Sequence, residues 1–177
     1  MGYYRRRLPH WQPEGKWLFI TWTLHGSVPA GSEVKGATPG ERFQSLYIML
    51  DRASEGPMWL RDPRAATAVC DVNRRAESEE HLCEIGAYVV MGNHVHLLAR
   101  PIEPAATVTN WIKGVSAREA NRLLNRTGTH FWNREFFDRW VRNDVEHVRI
   151  AYYIINNPVR AGFVTRPDDW LWSSAAR

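Results

Sequence analysis

Two apolar, β-favouring runs, Glu84 to Met91 and His94 to Arg100, stand on either side of Gly92-Asn93. No other feature of the chain limits the fold as tightly. A two-residue Gly-Asn connection signals a hairpin, since glycine supplies the positive φ that a type II′ turn requires. Pro101 and Pro104 end the second run, so the two runs read as an antiparallel pair. Lys16 to Leu24, rich in β-branched and aromatic residues, predicts another strand. Gly26 to Gly40 reads as a loop. Phe43, Leu46, Tyr47, Leu50 and Ala53 have helical spacing over 41–54, up to a stop at Gly56-Pro57. Asp62-Pro63 offers a cap and a proline at the first helical position, opening a helix to about Glu80. Thr109 to about Arg126 predicts a basic, polar helix, and Gly128 to Trp140 an aromatic loop or short strand. Asn143 and Glu146 form a variant capping box for a last helix ending at or before Pro158. No internal repeat appears. The order predicts one α+β domain over 1–177, with an antiparallel sheet.

His94-Val95-His96 is where chemistry enters. Strand residues two apart point to the same face, so both imidazoles project together while Val95 points away. Such a pair is a metal half-site that needs a third ligand and an open position. The last helix can supply the third ligand. At 100° per residue, Val145, Val148, Ala151, Tyr152 and Ile155 fall on a broad apolar side. Glu146, Arg149, Tyr153, Asn156 and Asn157 fall on a polar stripe. Tyr152 therefore reads as core, and Tyr153 as a presented group with Asn157 one turn along. If that stripe faces the histidines, Asn157 can give a carbonyl oxygen to a metal beside Tyr153 as nucleophile. Tyrosine can form a covalent phosphotyrosine link that conserves bond energy for later rejoining. A cation neutralises and orients the anionic phosphodiester. Two imidazoles and an amide oxygen suit Mn²⁺, with Mg²⁺ also possible.

Composition bears on the partner. The net charge is +4 with a pI near 9.3, and the bases are almost all arginine, with lysine only at 16, 35 and 113. Arginine suits bidentate phosphate contact, and nine tryptophans add stacking surfaces for unpaired bases. Arg5, Arg6, Arg7, Lys113, Arg118, Arg122 and Arg142 are the candidates for DNA contact, and Trp11, Trp132 and Trp140 for stacking. Cys70 and Cys83 fit no zinc framework. With no signal-peptide pattern or membrane-length apolar run, the expectation is a cytoplasmic, nucleoid-associated protein without a membrane partner.

Met91-Gly92-Asn93-His94-Val95-His96 resembles the His-hydrophobic-His ("HUH") motif of single-strand DNA transposases. Tyr153 to Gly162, Tyr-Ile-Ile-Asn-Asn-Pro-Val-Arg-Ala-Gly, resembles the tyrosine motif of the REP-associated tyrosine transposases, the RAYT branch. Phe131-Trp132-Asn133, Asp138 to Arg142, the ending Asp168 to Ser174 and the opening Tyr4 to Arg7 are similar to the family's other segments. The resemblance implies a ferredoxin-like antiparallel sheet with helices on one face, the histidines on a central strand and the tyrosine on a C-terminal helix. It implies a 5′-phosphotyrosine at Tyr153, a divalent ion on His94, His96 and Asn157, and a hairpin of palindromic repeats as DNA partner. Where many relatives carry proline, this chain has Gly92. A non-catalytic hairpin DNA- or RNA-binding module and a metal-dependent hydrolase of another substrate remain the alternatives. A monomer and a homodimer are equally open.

Overall fold

In a computed structural model the described residues are 2–5, 9–12, 15–27, 45 and 56–176, the first two stretches as backbone strands alone. The helix predicted over 41–54, residue 45 apart, and most of the Gly26–Gly40 loop lie outside them. Strands β1 (Gly2–Arg5) and β2 (Pro9–Gln12) pair as a small antiparallel ribbon. Then follow β3 (Leu18–Thr23), helix α1 (Pro63–Ser78), β4 (Cys83–Val90), β5 (His94–Pro101), α2 (Ala105–Leu123), β6 (Phe137–Trp140), α3 (Asp144–Ile155) and the one-turn α4 (Asn157–Arg160). The main sheet runs β4-β5-β3-β6, antiparallel throughout. From β3 to β6 this is the β-α-β-β-α-β connectivity of ferredoxin-like folds, with β5 inside the sheet.

The sheet is buried on both faces. Leu18, Ile20, Trp22, Val95 and Leu97 pack under α1 and α2. Phe19, Val89 and Leu98 on the reverse face pack against Ile150 and Ile154 of α3. The expectation of helices on one face is therefore corrected: α3 covers the opposite face. The physical reason is that alternation leaves Phe19 and Leu98 as apolar on that side as their neighbours are on the other.

Local rules explain most boundaries. Asp62 caps α1 by accepting from the Arg64 amide at 2.9 Å, with Pro63 in the first turn. Asn143 accepts from the Glu146 amide at 2.9 Å, and Glu146 accepts from the Arg142 amide at 2.7 Å and from the Arg139 guanidinium. Helix α2 begins four residues before the predicted Thr109, at Ala105, because Pro104 opens it without any side-chain cap to advertise it. Helix α3 ends at Ile155, before Pro158 as expected. The chain breaks at Asn156 and Pro158 sits in the first turn of α4. The turn at Gly92-Asn93 also differs from expectation, since Gly92 is not among the positive-φ glycines. Its glycine serves close packing instead: a Cβ there would meet Arg61 Cγ at 3.3 Å and Met58 Sδ at 3.4 Å. The turn carbonyls are captured by the Leu60 amide at 3.2 Å and the Leu24 amide at 2.8 Å.

The last residues lie along the outer edge of β4. The Val90 amide donates to Trp172 O, the Ser174 amide to Tyr88 O, and Trp170 Nε1 to Val90 O at 3.0 Å. An edge strand is thereby covered. Among the described residues, no helix is long and apolar enough to cross a membrane.

Candidate functional site

Strand alternation on β5 turns His94 and His96 toward α3, and both are buried at 1% and 0% exposure. Their rings meet edge to face at 4.6 Å, with the two Nε2 atoms 3.2 Å apart. The far nitrogens are both engaged. His94 Nδ1 lies 2.6 Å from Asn93 Oδ1, and His96 Nδ1 lies 2.8 Å from Thr21 Oγ1. Thr21 is there because the β3–β5 register pairs it directly with His96.

Helix α3 brings up the tyrosine. The Tyr153 ring lies 5.6 Å from that of His96 and 6.0 Å from that of Phe19. Asn157 is fully buried, and its Nδ2 donates to Tyr153 Oη at 3.3 Å. The Arg160 guanidinium stands over the tyrosine ring at 4.8 Å. The structure thus gathers His94, His96, Tyr153 and Asn157 into one continuous cluster. Asn157 belongs to α4 rather than to the tyrosine's own helix, yet the i, i+4 adjacency survives the break.

The reading of Tyr152 as core is overturned. Tyr152 is 66% exposed, Val148 66% and Val145 69%, so these three point outward, while Ala151 and Ile155 of the same side are half-buried against the core. The inward face is centred on Ile150 and Ile154, with Tyr153 at its margin. Periodicity separated two sides of the helix; the neighbour it packs on chose between them. Arg160, Asn93 and Thr21 were missed. Arg160 stands seven residues from Tyr153, near two helical turns, which was the available signal. Asn93 was read as a turn residue only, and nothing in the order of residues gives the strand register that places Thr21.

The donor set suits a divalent ion. Two imidazole nitrogens 3.2 Å apart can both reach one ion at the roughly 2.0–2.1 Å of a zinc–imidazole bond. Among the described residues no group of three His, Cys, Asp or Glu stands where it could hold an ion, so a third side-chain ligand would be of another type, such as an amide oxygen. The thiols do not compete. Cys70 and Cys83 are buried, and desolvation pushes both up to about 12.

The proposed DNA contacts divide. Lys113 is 8% exposed, its ammonium donating to the carbonyls of Asn133 at 2.8 Å and Arg134 at 3.0 Å, so it braces a loop instead of facing phosphate. Trp132 is also 8% exposed, and its Nε1 donates to Ser116 Oγ; it is core, because its ring packs edge-on against Trp22. Trp140 is half-buried on β6. Arg118 and Arg122 are exposed on α2, across the sheet from the histidines. Arg142 is exposed at the start of α3. Arg5 and Trp11 fall in β1 and β2, described as backbone only, and Arg6 and Arg7 lie outside the described residues.

A family model described as "Transposase IS200 like" matches residues 66–157, a span that includes His94, His96, Tyr153 and Asn157. Among solved structures, one described as "Structure of the REP associates tyrosine transposase bound to a REP hairpin" is similar in fold. Its TM-score is 0.58 at 20% identity, over 98% of this chain and 82% of that one. No curated protein matches the chain at a significant level.

Proposed function

This chain belongs to the IS200-like transposase family, and from that premise we propose that it cuts and rejoins single-stranded DNA through Tyr153. The observation that carries this reading is the convergence of His94 and His96 Nε2 beside the Tyr153 ring. In this reading His94, His96 and the Asn157 amide oxygen hold Mn²⁺ or Mg²⁺, which when bound neutralises and orients the phosphate. Tyr153 Oη attacks phosphorus, its proton passing to solvent, and the P–O3′ bond breaks. The leaving oxygen takes up a proton as a 3′-hydroxyl, and the 5′-phosphate stays on tyrosine. In the reverse direction a 3′-hydroxyl attacks the phosphotyrosine and releases Tyr153. Asn157 Nδ2 holds the phenol oxygen in place, and Phe19 and His96 wall the ring. Arg160 sets a positive charge over that ring, where the incoming phosphate brings negative charge.

The substrate we propose is a hairpin of palindromic repeats with adjoining single strand, supported by the fold shared with a transposase described as bound to such a hairpin. Arg142, with Arg5, Arg6 and Arg7, would provide the phosphate contacts. The Tyr153 ring lies 5.6 Å from that of His96 in the same chain, which supports a site formed within one copy. Incubation with a labelled hairpin oligonucleotide and Mn²⁺ should give a covalent adduct that Tyr153→Phe and His94→Ala both abolish. Mixing those two variants should not restore it. Cleavage that survives Tyr153→Phe would sink the phosphotyrosine reading, and restoration on mixing would show that the tyrosine works across two copies.

A further inference from the structure

We propose that Thr21 and Asn93 are positioning residues that lock both imidazoles in the Nδ1–H tautomer, presenting two Nε2 lone pairs to one cation. The inference deepens the reading of His94 and His96 as ligands and rests on it. A neutral imidazole carries one proton on two nitrogens, and the nitrogen with an acceptor beside it keeps that proton. For His94 the acceptor is the Asn93 amide oxygen at 2.6 Å. For His96 the proposed acceptor is the Thr21 hydroxyl, which can both donate and accept and lies 2.8 Å away across the register.

Neither partner is free to wander. Asn93 is 3% exposed, and its own carbonyl accepts from the Leu24 amide at 2.8 Å and from Ser27 Oγ at 3.4 Å. Thr21 is fully buried in the interior strand β3. In the proposed tautomer the two Nε2 lone pairs face each other across the 3.2 Å contact, and a cation between them would take both. Outer partners of metal-binding histidines fix the tautomer in general, and losing one costs about 10- to 100-fold in metal affinity.

The test uses the full chain and its variants Thr21→Val, Thr21→Ser, Asn93→Leu and Asn93→Asp, with thermal melting to establish that each is folded. Long-range proton–nitrogen NMR of the metal-free imidazoles reads the tautomer, and titration with Mn²⁺ followed by electron paramagnetic resonance reads affinity. Both rings should be Nδ1–H in the unchanged chain. Thr21→Val should mix the tautomers of His96 alone, and Asn93→Leu those of His94 alone. Each should weaken Mn²⁺ binding by about 10- to 100-fold. Thr21→Ser and Asn93→Asp, which keep an acceptor, should retain the tautomer, so the proposal can fail even if a non-polar variant unfolds. Unaltered tautomers and Mn²⁺ affinity within about twofold would overturn it. His94→Ala separates the two levels: Mn²⁺ binding that persists in this variant refutes the ligand reading, whereas the NMR result judges the tautomer lock by itself.

Discussion

Tyr153 and Arg160 show how a single contact changes what a side chain can do. A guanidinium over an aromatic face contributes about 0.5–1 kcal/mol at an exposed site, a modest term for folding. Under the proposed reaction its value for chemistry would be larger, since it sets a positive charge over the ring of the attacking tyrosine. Arg160 is exposed, so its loss leaves the fold intact. Arg160→Gln is expected to slow adduct formation by about 10- to 100-fold while the melting temperature moves little. Single-turnover kinetics on the hairpin oligonucleotide would measure this, and an unchanged rate would reduce Arg160 to a surface residue. Arg160→Lys should recover only part of the loss, because an ammonium cannot stack as a planar guanidinium does.

Helix α3 decides where the tyrosine stands, and two features of the element decide where α3 stands. The first is its cap. Burial pushes the Glu146 carboxyl up, but the Arg142 amide and the Arg139 guanidinium outweigh it and hold it below the ordinary carboxylate range. A lowered native value means that this stability is fully present above the unfolded value and is lost as pH falls through the native one. Glu146→Gln should therefore flatten the acid limb of a stability–pH profile measured by urea denaturation. An identical acid limb would exclude the linkage. The second feature is the bulge in β4 between Ile85 and Ala87, where a Cβ on Gly86 would lie 3.1 Å from His147 Nε2 and 3.3 Å from Leu98 Cδ2. Gly86→Ala should cost about 1–3 kcal/mol by overpacking and push α3 outward, slowing adduct formation together with lowering the melting temperature. A stable, fully active Gly86→Ala would show that the helix seat has room to spare.

At the scale of the whole molecule, the sheet is closed on both faces and at its outer edge by parts of the chain far apart in sequence. The tail from Trp170 to Ser174 pairs with β4, and its two indoles donate to Val90 O and to Thr67 Oγ1. Shortening the chain after Arg166 would bare a row of unpaired strand groups, a template for self-association. The shortened protein is expected to melt lower and to sediment with concentration-dependent association. A monomeric, equally stable product would show that the tail is dispensable.

What the order of residues determined by itself was local: the β-hairpin, the common face of His94 and His96, and the Asn143 cap. These depend on strand alternation, helical period and turn preference, which act over a few residues. Family likeness then named the chemistry. The tertiary structure alone decided the rest, because it depends on which surfaces meet. Val145, Val148 and Tyr152 of α3 point outward since Ile150 and Ile154 are the residues that meet Phe19 and Leu98. Lys113 and Trp132 turn inward because a loop carbonyl cluster and the Trp22 ring await them. Thr21 reaches His96 through a register spanning 75 residues, a separation that no local pattern records.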